Sequence, residues 1–351
     1  MKYLLKTLSA AAIAVVLGGC ENTAHNGHDY PITPGTTPIA AITYDALYVV
    51  NGGAKSISVI NAETDIVTGT IALQNAEFPH HISLSPDRMS LAVAVPGADL
   101  SDGHAHGGHS SSGMFMVLNA VTGEMKSFKK LDESNHNAVF SKFGEEIWTT
   151  QMTANGSVKI YNANTLQEVK SIPVGNSPAE VTFSHDGKYA FAANSGSGSV
   201  TVIDPLLKTV VKTIAVGATP VGAWPGDNNV MYVDNEGGKS ITAIDATTLQ
   251  IIRTYQLGFT PAMAANVGNE LWVTDTQNGK VVIFKTDSDE KIGEIATAAG
   301  AHAIVFNTDR TKAYISNQNA NSVSVIDVVA KTVLKTIAVG SKPNGIVFRT
   351  H

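Results

Sequence analysis

Residues 178–217 read PAEVTFSHDGKYAFAANSGSGSVTVIDPLLKTVVKTIAVG. Four short runs rich in Val, Ile, Thr, Tyr and Ala are separated by the clusters His185-Asp186-Gly187, Asn194-Ser195-Gly196 and Asp204-Pro205. Runs of this kind read as strands, and the clusters as turns. The next copy, residues 220–258, reads PVGAWPGDNNVMYVDNEGGKSITAIDATTLQIIRTYQLG, and a late copy ends NANSVSVIDVVAKTVLKTIAVG at Gly340. One polar residue closes the third run of every copy: Asn61, Asn119, Asn162, Asp204, Asp245, Lys285 and Asp327. The gaps between these markers are 58, 43, 42, 41, 40 and 42 residues. A four-stranded unit repeated at this period is a propeller blade. Seven markers predict an all-β, seven-bladed β-propeller of four-stranded antiparallel blades, occupying residues 38–351. The first gap is longer by about sixteen residues than the period and locates an insertion.

The ends of the repeat predict how the ring closes. Pro343-Asn344-Gly345-Ile346-Val347-Phe348 opens an eighth copy and the sequence stops. Near the other end, Ala46-Leu47-Tyr48-Val49-Val50-Asn51 is a second run with only a degenerate first run before it. The C-terminal run therefore supplies the innermost strand of the blade that the N-terminal part begins, which removes two open sheet edges. We number this composite blade seven and the blade bearing Asn119 blade one.

Composition limits the function. The chain has 351 residues, 43% of them apolar and 15% charged. That is too apolar for a disordered chain and long enough for a large core. Its net charge is −6, with no long Lys/Arg run. A nucleic-acid binder would carry a basic stripe, so no nucleic-acid partner is expected.

Residues 1–20 read MKYLLKTLSAAAIAVVLGGC. Lys2 and Lys6 precede an apolar stretch too short for a permanent span. The ending Leu17-Gly18-Gly19-Cys20 resembles a bacterial lipoprotein signal, which implies cleavage before Cys20 and lipidation of its thiol. The expected organisation is a signal peptide over 1–19, a lipidated tether over 20–37 and the propeller beyond. Loss of Lys2 and Lys6 takes the charge from −6 to −8. Cys20 is the only cysteine, so the exported domain has no disulfide and relies on packing. Lipid chains on Cys20 would hold it to a membrane. Glu21, rather than Asp, follows the cysteine. By the same resemblance this implies an outer-membrane lipoprotein facing the periplasm or the cell surface.

Second-run endings such as Tyr48-Val49-Val50-Asn51, Phe191-Ala192-Ala193-Asn194 and Tyr232-Val233-Asp234-Asn235 resemble YVTN repeats of secreted seven-bladed propellers. Linkers such as Val216-Gly217-Ala218-Thr219-Pro220 belong to the same resemblance. It covers residues from about 40 to 350 and implies the fold, not an activity.

Two histidine groups carry the functional expectation. In a propeller the linkers between blades and the loops after second strands share one rim. The insertion, residues 96–113, is such a loop and reads PGADLSDGHAHGGHSSSG. His104, His106 and His109 stand within it as donors for zinc, copper or nickel. The second group appears when blades are aligned. The residue after the linker proline, or its equivalent, is His80, His136, Ala179, Val221, Ala262, His302 and Asn344 in blades one to seven. His81 follows His80. Facing imidazoles from blades one, two and six predict a fixed channel-mouth metal site of His136 and His302 with His80 or His81. The strand pleat alone does not say which of the pair faces inward. His25 and His28 in the tether are further donors within reach.

This usage is similar to periplasmic zinc-chaperone propellers, which implies delivery of metal to a transport or receiving protein of the envelope. The expected function is metal storage, handling or delivery, with zinc first and copper next, and no enzymatic activity. The alternatives are an envelope scaffold without metal, and a propeller hydrolase or metalloenzyme. One cysteine excludes an adjacent-cysteine quinone pocket. Glu180 has Gly222, Met263 and Ala303 as its equivalents, which argues against a ring of acidic ligands. Trp148, Trp224 and Trp272 are expected to pack between blades.

Overall fold

The computed structural model describes residues 33–101 and 112–351. Cys20, His25, His28, His104, His106 and His109, with the signal peptide and most of the tether, lie outside the described residues. Residues Pro34–His351 form one compact unit.

The described strands form seven antiparallel sheets arranged as a seven-bladed propeller. Blade three shows the plan: Pro178–Phe183, Ala190–Asn194, Ser199–Asp204 and Thr209–Ala215 pair in sequence order. First strands of adjacent blades contact one another around the ring. Second and third strands are buried on both faces, as in Ala190–Asn194 and Ser199–Asp204, whereas the fourth strand Thr209–Ala215 is mostly exposed. Continuous apolar runs belong where both sheet faces meet a neighbour. That is why the second and third runs lack the alternation of a half-exposed strand.

Two local devices explain the repeat's polar letters. The marker carboxylate or amide caps the turn into the fourth strand. Asn61 Oδ1, for example, accepts the backbone N–H of Glu63 and Thr64, and Asp204 Oδ1 those of Leu206 and Leu207. Lys285 cannot accept and instead pairs with Glu290. The asparagine ending the second strand is buried and clamps the third strand. Asn51, Asn194, Asn235 and Asn317 each donate to two hydroxyls there, such as Ser199 and Thr201 from Asn194 at 3.2 and 3.0 Å. Blade one has Val95 at this place, directly before the insertion, and lacks the clamp.

The ring closes as the repeat predicts. Pro343–Arg349 pairs with Ala46–Asn51 as the innermost strand of blade seven. A second clasp lies outside it, where the last residues of the expected tether are strand. Gly35 and Thr36 pair with Gln74 and Leu73 as a fifth strand. The chain then crosses to blade one: Met125 N donates to Thr36 Oγ1 at 2.9 Å, and Ile39 N and Ile42 N donate to Thr122 O and Val121 O. Aromatic pairs knit other blades together. Trp148 meets Phe183 and Trp272 meets Phe306 across blade boundaries, with ring centroids 5.2 and 5.6 Å apart. These two tryptophans pack as expected. Trp224 is only partly buried: it packs against the cluster shared by blades four and five and also reaches the channel.

Candidate metal centre

Where the first strand begins, the pairing slips by one residue in most blades. The slip lies between Pro178 and Val181 in blade three, and at the matching place in blades four to seven. In blade one, Ala94 receives the N–H of His80 and donates to the carbonyl of His81, so two residues oppose one. Such a bulge breaks the pleat's alternation and re-aims side chains. Both histidines therefore reach the channel mouth. Gly345 of blade seven fixes this backbone. Its N–H donates to His80 O at 3.0 Å, and a Cβ there would stand 2.8 Å from that oxygen and from His81 Cα.

His136 of blade two completes the group. Its ring centroid is 4.4 Å from that of His80 and 4.8 Å from that of His81. One ligand atom from each of the three lies within 4.8 Å of the others. His80 Nε2 and His136 Nε2 are 2.9 Å apart. Two imidazole nitrogens bound tetrahedrally to one zinc lie roughly 3.3 Å apart, given bonds near 2.0–2.1 Å. A few tenths of an ångström of opening would therefore seat an ion.

Glu180 of blade three stands behind the imidazoles. Its Oε1 lies 2.9 Å from His136 Nδ1 and 3.2 Å from His81 Nε2, and its Oε2 receives Asn137 Nδ2 at 3.3 Å. A carboxylate on the far nitrogen of a ligating histidine fixes its tautomer and raises its basicity. The side-chain amide of Asn344, from blade seven, does the corresponding work at His80 Nδ1. One set of tautomers satisfies the whole chain of contacts: Asn344 donates to His80, His80 to His136, and His136 to Glu180. Moving the His80 proton to Nδ1, onto an amide oxygen turned to accept it, frees both Nε2 lone pairs for one ion.

Of the histidines that the alignment singles out, the structure brings His80 and His136 together, and His81 joins them, so both members of the pair left open by the pleat stand in the cluster. His302 is set apart, with its ring centroid 6.1 Å from those of His80 and of His81. Two residues were missed. Glu180 is set against Gly222, Met263 and Ala303 in the alignment, yet its partners are His136 of blade two and His81, which holds the same place in blade one. Trp224 belongs to the channel, its ring centroid 6.1 Å from that of His81. Gly222 lets the indole fold back, and Trp224 Nε1 donates to Asp234 Oδ1 at 2.7 Å.

Asp234 is fully buried and its Oδ2 has no hydrogen-bond partner among the described residues. Thr150, Thr274 and Ser316 hold the same place in their blades and donate to the carbonyls of Ala179, His302 and Asn344. A proton on Oδ2 gives Asp234 a donor like theirs. Burial, with Glu236 and Glu180 nearby, pushes its carboxyl well above the usual range. The folded state then keeps a proton that the unfolded chain releases near pH 4. Stability from this group is lost as pH rises through that window, by up to about 1.4 kcal/mol per pH unit. Asp234→Asn keeps the shape without the charge. Its melting temperature relative to wild type should rise between pH 4.5 and pH 7.5, and parallel melting curves at both pH values would refute the neutral acid.

A seven-bladed propeller with a histidine cluster at one mouth of its channel is the class that fold and site define. The chain belongs to the choice-of-anchor I domain family, whose model matches residues 40–345. No curated protein matches it in sequence. Solved structures share the fold at low identity. A periplasmic gluconolactonase of Pseudomonas aeruginosa is 16% identical with a TM-score of 0.72, covering 87% of this chain and 99% of its own. A functionally unknown protein of Desulfotomaculum acetoxidans is 14% identical with a TM-score of 0.70, covering 88% and 99%. A chain of hydrazine synthase from Kuenenia stuttgartiensis is 17% identical with a TM-score of 0.68, covering 88% and 99%.

Proposed function

We propose that this protein is a membrane-held propeller that binds a divalent transition ion at the channel mouth and acts in metal storage, handling or delivery. The observation that carries the reading is the approach of one nitrogen from each of three imidazoles, on two blades, to within 4.8 Å of one another, with Glu180 behind them. Neutral imidazoles without a thiolate suit zinc, and copper binds the same donors more tightly by the general order of affinities. Zinc is the first candidate and copper the second. Three nitrogens leave a position open, as an exchangeable site requires. His104, His106 and His109 enter on sequence grounds as transfer donors on the same rim, and His25 and His28 as more distant ones. The lipoprotein-like signal supports an anchor on Cys20 in the bacterial outer membrane, and a metal-receiving envelope protein as partner.

The test is one preparation from cells expressing the full chain without a tag. Wild type should fractionate with membranes and carry zinc or copper, and Cys20→Ser should move to the soluble fraction with the ion still bound. Competition titration should show one tight event that weakens as pH falls through the imidazole range near 6.5, because a protonated ring has no lone pair to give. The double variant His80→Ala/His81→Ala should lose that event. Equal, weak affinity in wild type and variant would leave an envelope scaffold without metal.

A further inference from the structure

Beside the histidine cluster, on the same rim, a cavity of about 470 Å³ opens between blades five and six. Its size suits a small organic molecule. The start of the insertion forms one wall. Leu100 and Ser101 line the cavity, and Lys342 of the blade-seven linker holds this arm by pairing with Asp99 and by donating to Ser101 Oγ at 3.1 Å. The opposite wall is equally fixed. Gln318 N donates to Gly300 O at 2.8 Å and Asn319 N to Ala299 O. Gly300 has φ +82°, and a Cβ on it would stand 2.5 Å from Asn319 N, so only glycine permits this close turn.

Within these walls one polar group lacks an intramolecular role. Gln318 is 2% exposed, lines the cavity, and its Nε2 has no hydrogen-bond partner among the described residues. A buried amide donor left unsatisfied is costly, and a ligand oxygen would satisfy it. The remaining polar lining is neutral hydroxyl and amide, from Thr260, Gln277 and Asn319 among others, beside the small apolar surfaces of Pro261 and Ala262. Among the described residues, Glu236 and His302 are the only ionisable ones that line it, and neither Lys nor Arg does. The Lys342 ammonium behind Ser101 is already paired with Asp99, so an anionic ligand would meet the Glu236 carboxylate without a lining cation among the described residues.

We infer that this cavity binds a neutral polyhydroxylated molecule of monosaccharide size, one oxygen of which accepts the Gln318 Nε2 proton. Hydroxyls suit the lining because each both donates and accepts, and Glu236 accepts from them. The site is adjacent to the metal cluster through His302 but does not require an ion.

Saturation-transfer NMR and calorimetry on the full chain in detergent, with D-glucose and D-glucitol as probes, test the proposal. Glucose 6-phosphate and glucosamine serve as charged controls. The neutral probes should bind, and each charged control at least tenfold more weakly than glucose. Gln318→Met, unbranched and of similar length, should weaken the neutral probes at least tenfold. Thr260→Val, at the less buried lip, should weaken them in a fold whose melting is unchanged. His136→Ala should leave them bound, which separates this site from the metal reading. No saturation transfer to either polyol, tighter binding of a charged control, or unchanged affinity in both Gln318→Met and Thr260→Val would overturn it.

Discussion

Removal of residues 342–351 is expected to leave a chain that no longer unfolds as one cooperative unit. The segment contributes the whole innermost strand of blade seven, paired along Ala46–Asn51. Ile346 is buried with Leu47, Val49 and Tyr314, and the Phe348 ring stacks on Tyr314 at 6.4 Å between centroids. Arg349 Nε ties the strand to blade one through Arg88 O at 3.0 Å. A side chain of this kind contributes about 1.5–3 kcal/mol when fully buried, and a hydrogen bond about 1 kcal/mol. Buried Ile346, half-buried Val347 and Phe348 and a strand's worth of bonds sum to roughly 5–10 kcal/mol, against a typical total of about 5–15 kcal/mol. The outer clasp at Gly35 and Thr36 joins a different edge and cannot replace it. The measurements are soluble yield and circular-dichroism melting. An unchanged melting transition would mean that the ring does not depend on this strand.

The second large effect is expected at His136. Its two nitrogens face His80 Nε2 and Glu180 Oε1, each at 2.9 Å, so this one ring joins the ligand pair to its supporting carboxylate. His136→Ala should weaken zinc at least about 100-fold in competition with a chelator, and Glu180→Gln about 10–100-fold, as for other supporting partners of ligating histidines. The amide oxygen of Gln is an uncharged and weaker acceptor for the two imidazole N–H groups that share Oε1, and its Nε2 would face the Asn137 Nδ2 donor. His302→Ala, with its ring farther off, should cost less than His136→Ala. Saturating zinc should also raise the wild-type melting temperature, because an ion that binds only the folded state stabilises it by about 4 kcal/mol at a thousand times its dissociation constant. That shift should vanish in His136→Ala. A His136→Ala protein that keeps wild-type affinity and the same shift would remove the cluster as the metal centre.

The fold was legible because its signal is local and repeated. Turn caps such as Asn61 and Asp204 and clamps such as Asn194 recur at one register in most copies, and each acts within its own blade. The site was legible only where it shares that register. His80 and His136 hold the same place in their copies, so alignment brought them together. His81 was undecidable because strand alternation does not encode the bulge that turns it inward. Glu180 was hidden by comparison with its own equivalents, whereas its contacts run from blade three to blades one and two. Glu180 and His81 share the second place after their linkers, and only the bulge brings that place to the channel. The channel-facing side of Trp224 was not legible for another reason. Gly222, which looks like loss of a side chain, makes room for an indole to turn back onto Asp234.

The bulged starts of the first strands have an evolutionary consequence. Stability resides mainly in the second and third strands of each blade and in their clamps and caps. The chemistry of the channel mouth resides in two consecutive residues per blade that carry little of that burden. In blades three, four and five these are Ala179-Glu180, Val221-Gly222 and Ala262-Met263, side chains with almost nothing in common. The two sets of positions can therefore diverge at different rates. A lineage can exchange its inward-facing residues, and with them its ligands, while selection on foldability sees little change. Mutational tolerance of this kind lets one ring architecture persist when scarcely one residue in six is still shared.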